Sequence, residues 1–411
     1  MKRKLGKDHA HKNKKKTSAT ISPHIIDDMV FHIFQFLSSD DVMISMTVCK
    51  QWYRQSQLIP LRLELNDMSS VDEFLKCRHL SNLTRLKLCL HVDISDILSI
   101  LNNPIVKKVE RLKIEYCYLR NEDLKSISES NCLEQLKMLN LKSNDLHDRG
   151  FKYLARCEFV KNLTHLNLSK NDVKKGIKYI TRCENVINLK VLVLSECEIE
   201  DRGVKYIANS HYLNNLQVLN LETNNLSDLA VKYLAKSPHM TNLNTLILNS
   251  NFNIGCTSMS TLTSSNSQIK NLTSIAIKDT GVDEEGHKTL LQSQNMQHLT
   301  FLCIGDVAGE IFMTIANSKF MSNLKTLKIF YHEGNRDGIL ALSNSSHLQN
   351  LTSLHLDTGR LTDTEMEILA SSSTMSKLQK LSIRDNNVTE DGKAKLQSSP
   401  YLKHLKTIHL N

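Results

Sequence analysis

The 411-residue sequence has no run of apolar residues close to the ~20 that a bilayer-spanning helix needs, so no membrane-spanning segment is expected. No apolar segment follows the basic residues at its start, so no secretory signal is expected either. The sequence also lacks a Gly-rich phosphate loop, a G-x-S-x-G nucleophile motif and a metal-spaced set of Cys and His residues. We therefore expect no cofactor, no metal and no catalysis by this chain.

The ten cysteines do not form a C-x-x-C pair, and they are spread along the chain. Cys157 and Cys183 are 26 residues apart, which predicts equivalent helix positions in a repeating structure. Scattered cysteines that follow a repeat are typical of free structural thiols in a reducing compartment rather than of a disulfide framework.

Positive charge is concentrated at the start of the chain. Residues 1–16 carry eight Lys and Arg residues against Asp8, so they contribute +7 of the formal net charge of +9. The remainder is almost neutral, which argues against nucleic-acid binding by the body of the protein.

Residues 1–20 are predicted to be a basic disordered tail. Within residues 2–16, Lys2-Arg3 and Lys14-Lys15-Lys16 resemble a bipartite nuclear localisation signal, and a solvated arm is an equal interpretation. A cytoplasmic or nuclear location, or both, is expected. Deleting residues 2–16 should remove any nuclear accumulation of a fluorescent fusion, and an unchanged distribution would contradict the import hypothesis.

One pattern organises most of the sequence. The motif L-x-x-L-x-L-x-x-N of residues 136–144 recurs every 25 to 29 residues. Its apolar triplet is present in thirteen copies, from Leu83/Leu86/Leu88 to Leu405/Ile408/Leu410. A weaker triplet, Leu58/Leu61/Leu63, precedes them and is a candidate for one further strand. The pattern resembles leucine-rich repeats over residues 58–411.

The ninth position of the motif is Asn or Cys in seven copies, where a short amide or thiol can bond the backbone of the turn that leaves the strand. These residues are Cys117, Asn144, Asn171, Cys197, Asn224, Asn251 and Asn386. The copies between 272 and 370 depart from this rule with Thr280, Val307, His332 and Gly359. Loops adapted for binding and simple sequence drift are equal explanations of the departure.

The leucine-rich-repeat resemblance implies an α/β solenoid in which each unit contributes a strand, a turn and a helix. Phe151, Leu154 and Ala155 share one helical face after Asp148, as the helix of such a unit requires. Parallel strands with bulkier helices outside should curve into a horseshoe of the ribonuclease-inhibitor-like kind. The sheet edge formed by the last repeat is expected to be exposed.

Strand alternation predicts which side chains line the concave face, because the Leu and Ile positions point into the core and the residues between them point away. This face begins basic, becomes smaller or apolar, and ends with aromatic and basic residues, which suits a protein ligand better than a small molecule. An ordinary exposed surface is an equal interpretation at any single position. The candidate target-binding residues are Arg85, Lys87, Arg111, Lys113, Lys142, Val193, Ile247, Phe301, Phe330 and Arg384.

Residues 21–57 are predicted to form a small helical head. Apolar residues between Ile25 and Leu37 fall at three- and four-residue spacing, which predicts an amphipathic helix. The segment from 38 to 41 offers capping side chains for a second helix that runs from Val42 to Trp52. Chains below about 40 residues rarely fold alone, so the head needs a partner.

The head resembles an F-box, through its helix ending in Ile33-Phe34-x-x-Leu37 and its Val48-Cys49-x-x-Trp52 signature. Ile25-Ile26 stands where the family commonly has Leu-Pro. The resemblance implies docking to a Skp-family adaptor, which connects to a cullin scaffold and a RING subunit. It implies that the contact is made by Ile33, Phe34, Leu37, Val48 and Cys49, whereas Trp52 is equally suited to the interface and to the core.

Two functions follow from these resemblances. The first is a non-catalytic substrate-recognition subunit of an SCF-type ubiquitin ligase, with the head on the adaptor and the repeats on an unknown protein substrate. The second is a non-ligase scaffold or inhibitor that binds a protein through its concave face, with the head covering the open end of the solenoid.

Overall fold

The computed structural model describes residues 38–45, 48–77, 80–89 and 92–410. The predicted basic tail, the first head helix and the predicted adaptor contacts Ile33, Phe34 and Leu37 lie outside these residues. The chain divides into two compact units, Met1–Arg62 and Leu63–Asn411.

In the first unit the described residues form two short helices, α1 (Ser39–Ser45) and α2 (Lys50–Ser56). The Ser38 hydroxyl accepts a hydrogen bond from the Asp41 N–H at 3.2 Å and donates one to the Asp41 carboxylate at 2.7 Å, as expected of a capping residue. The prediction of a single helix from Val42 to Trp52 is wrong, because Cys49 adopts an extended backbone (φ −165°, ψ 168°) and caps α2 instead of continuing α1.

The described strands form one parallel sheet of fourteen strands that follow the order of the chain. They are β1 (Leu61–Leu65), β2 (Leu83–Leu88), β3 (Arg111–Ile114), β4 (Met138–Asn140), β5 (His165–Asn167), β6 (Val191–Val193), β7 (Val218–Asn220), β8 (Thr245–Ile247), β9 (Ser274–Ala276), β10 (Phe301–Val307), β11 (Thr326–His332), β12 (Ser353–Asp357), β13 (Lys380–Ser382) and β14 (Thr407–His409). A parallel sheet in chain order is the topology of a solenoid, so the predicted α/β class is confirmed.

A helix follows each strand from β1 to β13 and runs back beside the sheet. These helices are α3 (Met68–Lys76), α4 (Ile94–Leu101), α5 (Asn121–Ser128), α6 (Asp148–Arg156), α7 (Ile177–Thr181), α8 (Glu200–Ala208), α9 (Asp228–Ala235), α10 (Cys256–Thr263), α11 (Glu284–Leu291), α12 (Gly309–Asn317), α13 (Arg336–Asn344), α14 (Asp363–Ala370) and α15 (Glu390–Gln397). Short 3-10 helices lie in six of the returns: Pro104–Lys108, Glu158–Asn162, Glu184–Val186, His211–Leu213, Gln294–Met296 and Lys319–Met321.

The apolar triplets form the core between sheet and helices. The twelve triplets from Leu83 to Ile383 are at most 2% exposed, and the helical Phe151 and Leu154 are fully buried against them. The last triplet is only half-buried. The candidate further strand is present as β1, but the positions of its triplet are wrong: Leu58 is 62% exposed, and the buried Leu65 takes the place given to Leu63. The Leu65 carbonyl accepts a hydrogen bond from the Cys89 N–H, just as the Leu88 carbonyl accepts one from the Glu115 N–H.

Asparagine side chains join consecutive repeats at the turn after the strand. The Asn251 amide donates to the Leu248 carbonyl of its own turn at 2.8 Å and to the Leu221 carbonyl of the preceding repeat at 3.0 Å. Its oxygen accepts from the backbone N–H groups of Asn224 and Leu226 at 2.9 and 3.0 Å. The predicted bond to the turn is therefore present, and the bonds to the neighbouring repeat were not foreseen.

A second polar ladder joins the helices at their C-terminal ends. The Ser210 hydroxyl donates to the carbonyl of Thr181 in the preceding repeat at 2.5 Å, and the Cys183 thiol donates to that of Ala155 at 2.8 Å. Cys157 and Cys183 are equivalent, as predicted, but each follows its helix rather than lying within it. Burial raises the pKa of the Cys157 thiol to about 12, so it remains protonated at neutral pH.

Candidate functional site

The side chains between the buried leucines lie on the sheet face opposite the helices, which we call the open face. Of the ten predicted target-binding residues, Arg111 and Arg384 are exposed and the other eight are partly exposed. The open face therefore presents all ten side chains to solvent. Whether a target touches them stays a prediction.

The N-terminal end of the open face carries the predicted basic group. Arg85 pairs in register with Arg111, and Lys87 with Lys113, so four cations meet on β2 and β3. Carboxylates lie close to both lysines: Lys87 Nζ is 2.5 Å from Glu64 Oε1, and Lys113 Nζ is 3.9 Å from Glu115 Oε1. This end is basic but partly compensated, so its attraction for an acidic partner is local.

The middle of the open face is more polar than the sequence pattern indicated. Asn220 lies in register between Val193 and Ile247 and separates these two apolar side chains. Its side-chain oxygen accepts the backbone N–H of Glu222 at 2.9 Å. The predicted apolar centre is therefore a mixed strip of small apolar and amide side chains.

A cation–aromatic cluster occupies the C-terminal part of the open face. Lys278 Nζ lies 4.8 Å from the ring centre of Phe330, 4.9 Å from that of Tyr331 and 3.3 Å from Asp279 Oδ2. Burial would lower the pKa of Lys278, but Asp279 and Tyr331 outweigh it, and the pKa lies above its ordinary value. The ammonium group therefore stays charged within 5 Å of two ring centres, as in a cation–π site.

Phe301 belongs to the same region, with Lys328 Nζ 5.5 Å from its ring centre. The predicted residues Phe301 and Phe330 thus each have a lysine over the ring. The sequence interpretation named neither Lys278 nor Lys328 as a binding residue. Both lie between or directly after core positions, so the same alternation rule that selected the phenylalanines could have selected them.

Ser353, His355 and Asp357 follow one another along β12 in the order of a hydrolase triad. Ser353 Oγ lies 3.0 Å from His355 Nε2, but His355 Nδ1 is 3.9 Å from Asp357 Oδ2, which is too long for a hydrogen bond. Asp357 Oδ1 instead accepts from the Ser382 hydroxyl and the Arg384 N–H. Burial, followed by nearby lysines, lowers the pKa of His355 to about 4. The histidine is a poor general base, and this arrangement does not support nucleophilic catalysis.

Exposed aromatic residues stand in the turns at the C-terminal ends of the strands, which we call the turn rim. Tyr116, Tyr118 and Tyr331 have left-handed backbones (φ 59°, 53° and 49°) and are 42%, 71% and 46% exposed. A bulky residue with a left-handed backbone is strained, and an exposed ring makes no core contacts that would offset this strain. Phe252, 72% exposed, lines a cleft of about 460 Å³ on the same rim. The sequence feature that could have predicted these exposed aromatic residues is an aromatic residue at a turn position.

In the first unit, the predicted adaptor contacts Val48 and Cys49 are exposed, Val48 by 58%. Trp52 is half-buried. The V-C-x-x-W signature therefore begins on the surface and continues into α2.

No group of three or more His, Cys, Asp or Glu residues that could hold a metal ion is present among residues 38–45, 48–77, 80–89 and 92–410. Within that same part of the chain, no helix combines the length and apolarity needed to cross a bilayer.

No protein-family model matches the chain, and no curated protein matches its sequence. Among solved structures, it is similar in fold to a chain of the Rad7 and Elc1 complex in yeast, with 15% identity, a TM-score of 0.53 and 93% of each chain covered. It is also similar to an internalin of Listeria monocytogenes, with 18% identity, a TM-score of 0.44 and 94% of each chain covered. At these identities the likeness to the yeast chain bears on fold alone, and it agrees with the leucine-rich-repeat solenoid described above.

Proposed function

We propose that the protein is the non-catalytic substrate-recognition subunit of an SCF-type ubiquitin ligase. The head docks on a Skp-family adaptor, and the repeats hold a target protein through the open face and the turn rim. The protein accelerates modification by raising the local concentration of target lysines near a charged ubiquitin carrier, while other subunits perform the transfer.

The observation that carries this proposal is the surface position of the V-C-x-x-W signature. Val48 and Cys49 lie on the surface at the start of a helix of seven residues, in a head too small to bury its large apolar side chains alone. Exposed apolar side chains at such a position are typical of a docking surface. The solved yeast chain of similar fold was itself crystallised in a complex with a second protein.

The target half of the proposal draws on the open face and the turn rim. Aromatic residues and arginine carry much of the binding energy of protein interfaces, and both kinds are present here. Lys278 with Phe330 and Tyr331 supplies one such cluster, and the left-handed Tyr116 and Tyr118 supply another. A scaffold or inhibitor that lacks an adaptor would use these same surfaces.

The test is binding of the purified full chain to a Skp adaptor, measured by calorimetry. Val48→Asp should weaken binding more than tenfold, at least about 1.4 kcal/mol, because it places a charge in an apolar contact. Leu58→Asp is the matched control: Leu58 belongs to the same unit and is 62% exposed, but lies outside the signature. It should change the affinity by less than about threefold.

Two results would contradict the ligase proposal. No binding by the intact folded chain would favour the scaffold function. Equal losses in both variants would mean that the signature does not make the contact. Ile33→Asp/Leu37→Asp extends the test to the other half of the resemblance, where loss of adaptor binding is also expected.

A further inference from the structure

Four consecutive helices carry the same dipeptide on the side of the solenoid away from the sheet. Lys-Tyr occurs at 152–153 in α6, 178–179 in α7, 205–206 in α8 and 232–233 in α9. These helices pack against one another in chain order, so the four pairs form a row. All four lysines are at least partly exposed, and the four tyrosines are partly exposed.

A second row of cations lies four residues further along the helices, on the same face. Arg156, Arg182 and Lys236 occupy it, and Asn209 interrupts it. All three cations are exposed. We call the seven cations and four tyrosines of the two rows the Lys–Tyr ladder. Lys178, Lys205 and Lys232 lie in the last turns of their helices, where the helix dipole favours a cation, and Lys152 lies before the last turn of α6.

The ladder's charge is left uncompensated within the part of the chain that the structure describes. None of its seven cations forms an ion pair with a carboxylate there. Two of the nearby carboxylates have other partners: Asp201 accepts from Ser227, and Glu158 pairs with Lys161.

Two further features accompany the cations of the ladder. A cleft of about 300 Å³ between α6 and α7 is lined by Lys152, Arg156, Lys178 and Arg182, beside Tyr179. Next to it, a hydrogen bond from Arg202, reinforced by Arg182 and Lys178, lowers the pKa of the Tyr206 hydroxyl. A phenol ionises more readily only where negative charge is favoured.

Three of the four tyrosine rings already have cationic neighbours. The Arg182 guanidinium lies 5.5 Å from the ring centre of Tyr206, and Lys205 Nζ lies 5.6 Å from that of Tyr233 in the next repeat. Lys178 Nζ lies 4.8 Å from the ring of Tyr179. Ring faces occupied in this way are not platforms for nucleic-acid bases, which bind single strands by stacking on open aromatic faces.

We propose that the Lys–Tyr ladder binds an extended acidic polypeptide segment of a partner protein. Four helices packed about 10 Å apart span roughly 30 Å. An extended peptide rises about 3.3 Å per residue, so about nine residues cross the ladder. Seven cations suit a segment rich in Asp and Glu, whose carboxylates accept hydrogen bonds from Lys and Arg. This surface lies on the helix side, so a partner there leaves the open face free for a target.

The test is fluorescence anisotropy with a labelled nonaglutamate peptide and the full chain at about 0.1 M salt. A nonaglutamine peptide measures binding without charge. Lys178→Glu/Arg182→Glu should weaken nonaglutamate binding at least tenfold. The matched control, Lys319→Glu/Arg336→Glu, reverses the same two charges at exposed positions outside the ladder, one of them also a lysine beside an aromatic ring. It should change binding by less than about twofold.

The conservative exchange Lys178→Arg/Arg182→Lys should retain binding, which separates loss of charge from loss of structure. Equal losses of nonaglutamate binding in the ladder and control variants would overturn the proposal, because binding would then depend on the net charge of the protein and not on the ladder. Absence of nonaglutamate binding by the unaltered chain would overturn it too. Tighter binding of an oligothymidylate of equal charge than of nonaglutamate would assign the surface to nucleic acid instead.

Discussion

Two stretches of the solenoid bury the same leucine positions but end their strands differently. In residues 136–251, the regular copies, every strand is three residues long and is followed by a turn with a buried Asn or Cys. In residues 299–359, Val307, His332 and Gly359 occupy that position, and the strands have seven, seven and five residues; we call these three the departing copies. The copy with Thr280 keeps a three-residue strand, and its Thr280 hydroxyl donates to the Ile277 carbonyl at 2.8 Å as a turn asparagine does. The leucines therefore set the spacing of the repeats, whereas the turn residue sets where a strand ends.

The departing copies remain in register because backbone pairing replaces the asparagine bonds. β10 and β11 stay paired as far as Val307 and His332. The residue before the turn position keeps a left-handed backbone in both stretches, for example Ser250 at φ 54° and Asp306 at φ 54°. The chain thus changes direction at the same point in every copy of these two stretches, with or without the amide. Stability should accordingly depend on the amide in one stretch and on close side-chain packing in the other.

Asn251→Ala should have the largest effect and would break the regular copies. The Asn251 side chain is fully buried, donates to three backbone carbonyls and accepts from two backbone N–H groups, which belong to two repeats. Its loss leaves buried backbone groups unpaired, so we expect a loss of roughly 3 kcal/mol in the free energy of unfolding. Urea denaturation followed by circular dichroism measures it.

Asn253→Ala is the control for that measurement, because Asn253 lies in the same turn, is exposed and makes only a 3.4 Å side-chain contact with Asn225. It should change stability by less than about 0.5 kcal/mol. If the two variants lost the same amount, the buried amide would not be what holds the regular turns together.

Gly359→Ala should have the next largest effect and would break the departing copies. A methyl group there would overlap the imidazole of His332, lying 2.6 Å from Nε2. His332 is 3% exposed and packs edge-on against Phe312 with ring centres 5.3 Å apart, so it has little room to move. We expect a loss of about 2 kcal/mol from this overpacking, measured by the same denaturation.

Gly255→Ala tests the same exchange where space exists, since the nearest atom to its added methyl group is 3.7 Å away. It should be nearly neutral. Combining Gly359→Ala with His332→Asn should recover part of the loss, because the shorter side chain removes the overlap. A combined loss equal to the sum of the separate losses would contradict the packing explanation.

Much of this fold could be predicted because its determinants are local and periodic. The leucine triplets, the turn asparagines and the apolar helix faces each depend on residues within one copy of the motif. The length of β10 could not be predicted that way, since it depends on whether the neighbouring strand continues beside it. The place of Leu65 was missed for a related reason, because only pairing with β2 fixes the register of β1.

The candidate site was predictable to a smaller extent. Alternation along the strands selected the open-face residues correctly as a class, including Phe301 and Phe330. It could not reveal that Lys278 meets rings more than fifty residues later in the chain, because that contact crosses two repeats. It also could not show that a left-handed turn holds Tyr118 on the surface, since strain is a property of the backbone and not of a residue pattern.

Acidification should produce the smallest change in stability. It would sharpen the comparison between the regular and the departing copies, because two buried histidines lie in or next to the departing copies. Burial lowers the pKa of His287 and His332 below the ordinary 6.5, so the unfolded chain binds protons more readily than the folded one. The stability these residues contribute is complete above about pH 6.5 and is lost as the pH falls below it. The Gly334 N–H donates to His332 Nδ1 at 3.0 Å, so protonation of that nitrogen also breaks a hydrogen bond.

Between pH 7 and pH 5 we expect the departing copies to lose on the order of 1 kcal/mol of protection, and the regular copies less. Hydrogen exchange measured by mass spectrometry, corrected for the intrinsic rate at each pH, would compare peptides from 284–357 with peptides from 138–247. His332→Asn should reduce the loss in the departing copies, because asparagine does not titrate in this range. An equal loss in both stretches would instead mean that the solenoid opens as one unit in acid, since local opening would expose the departing copies first.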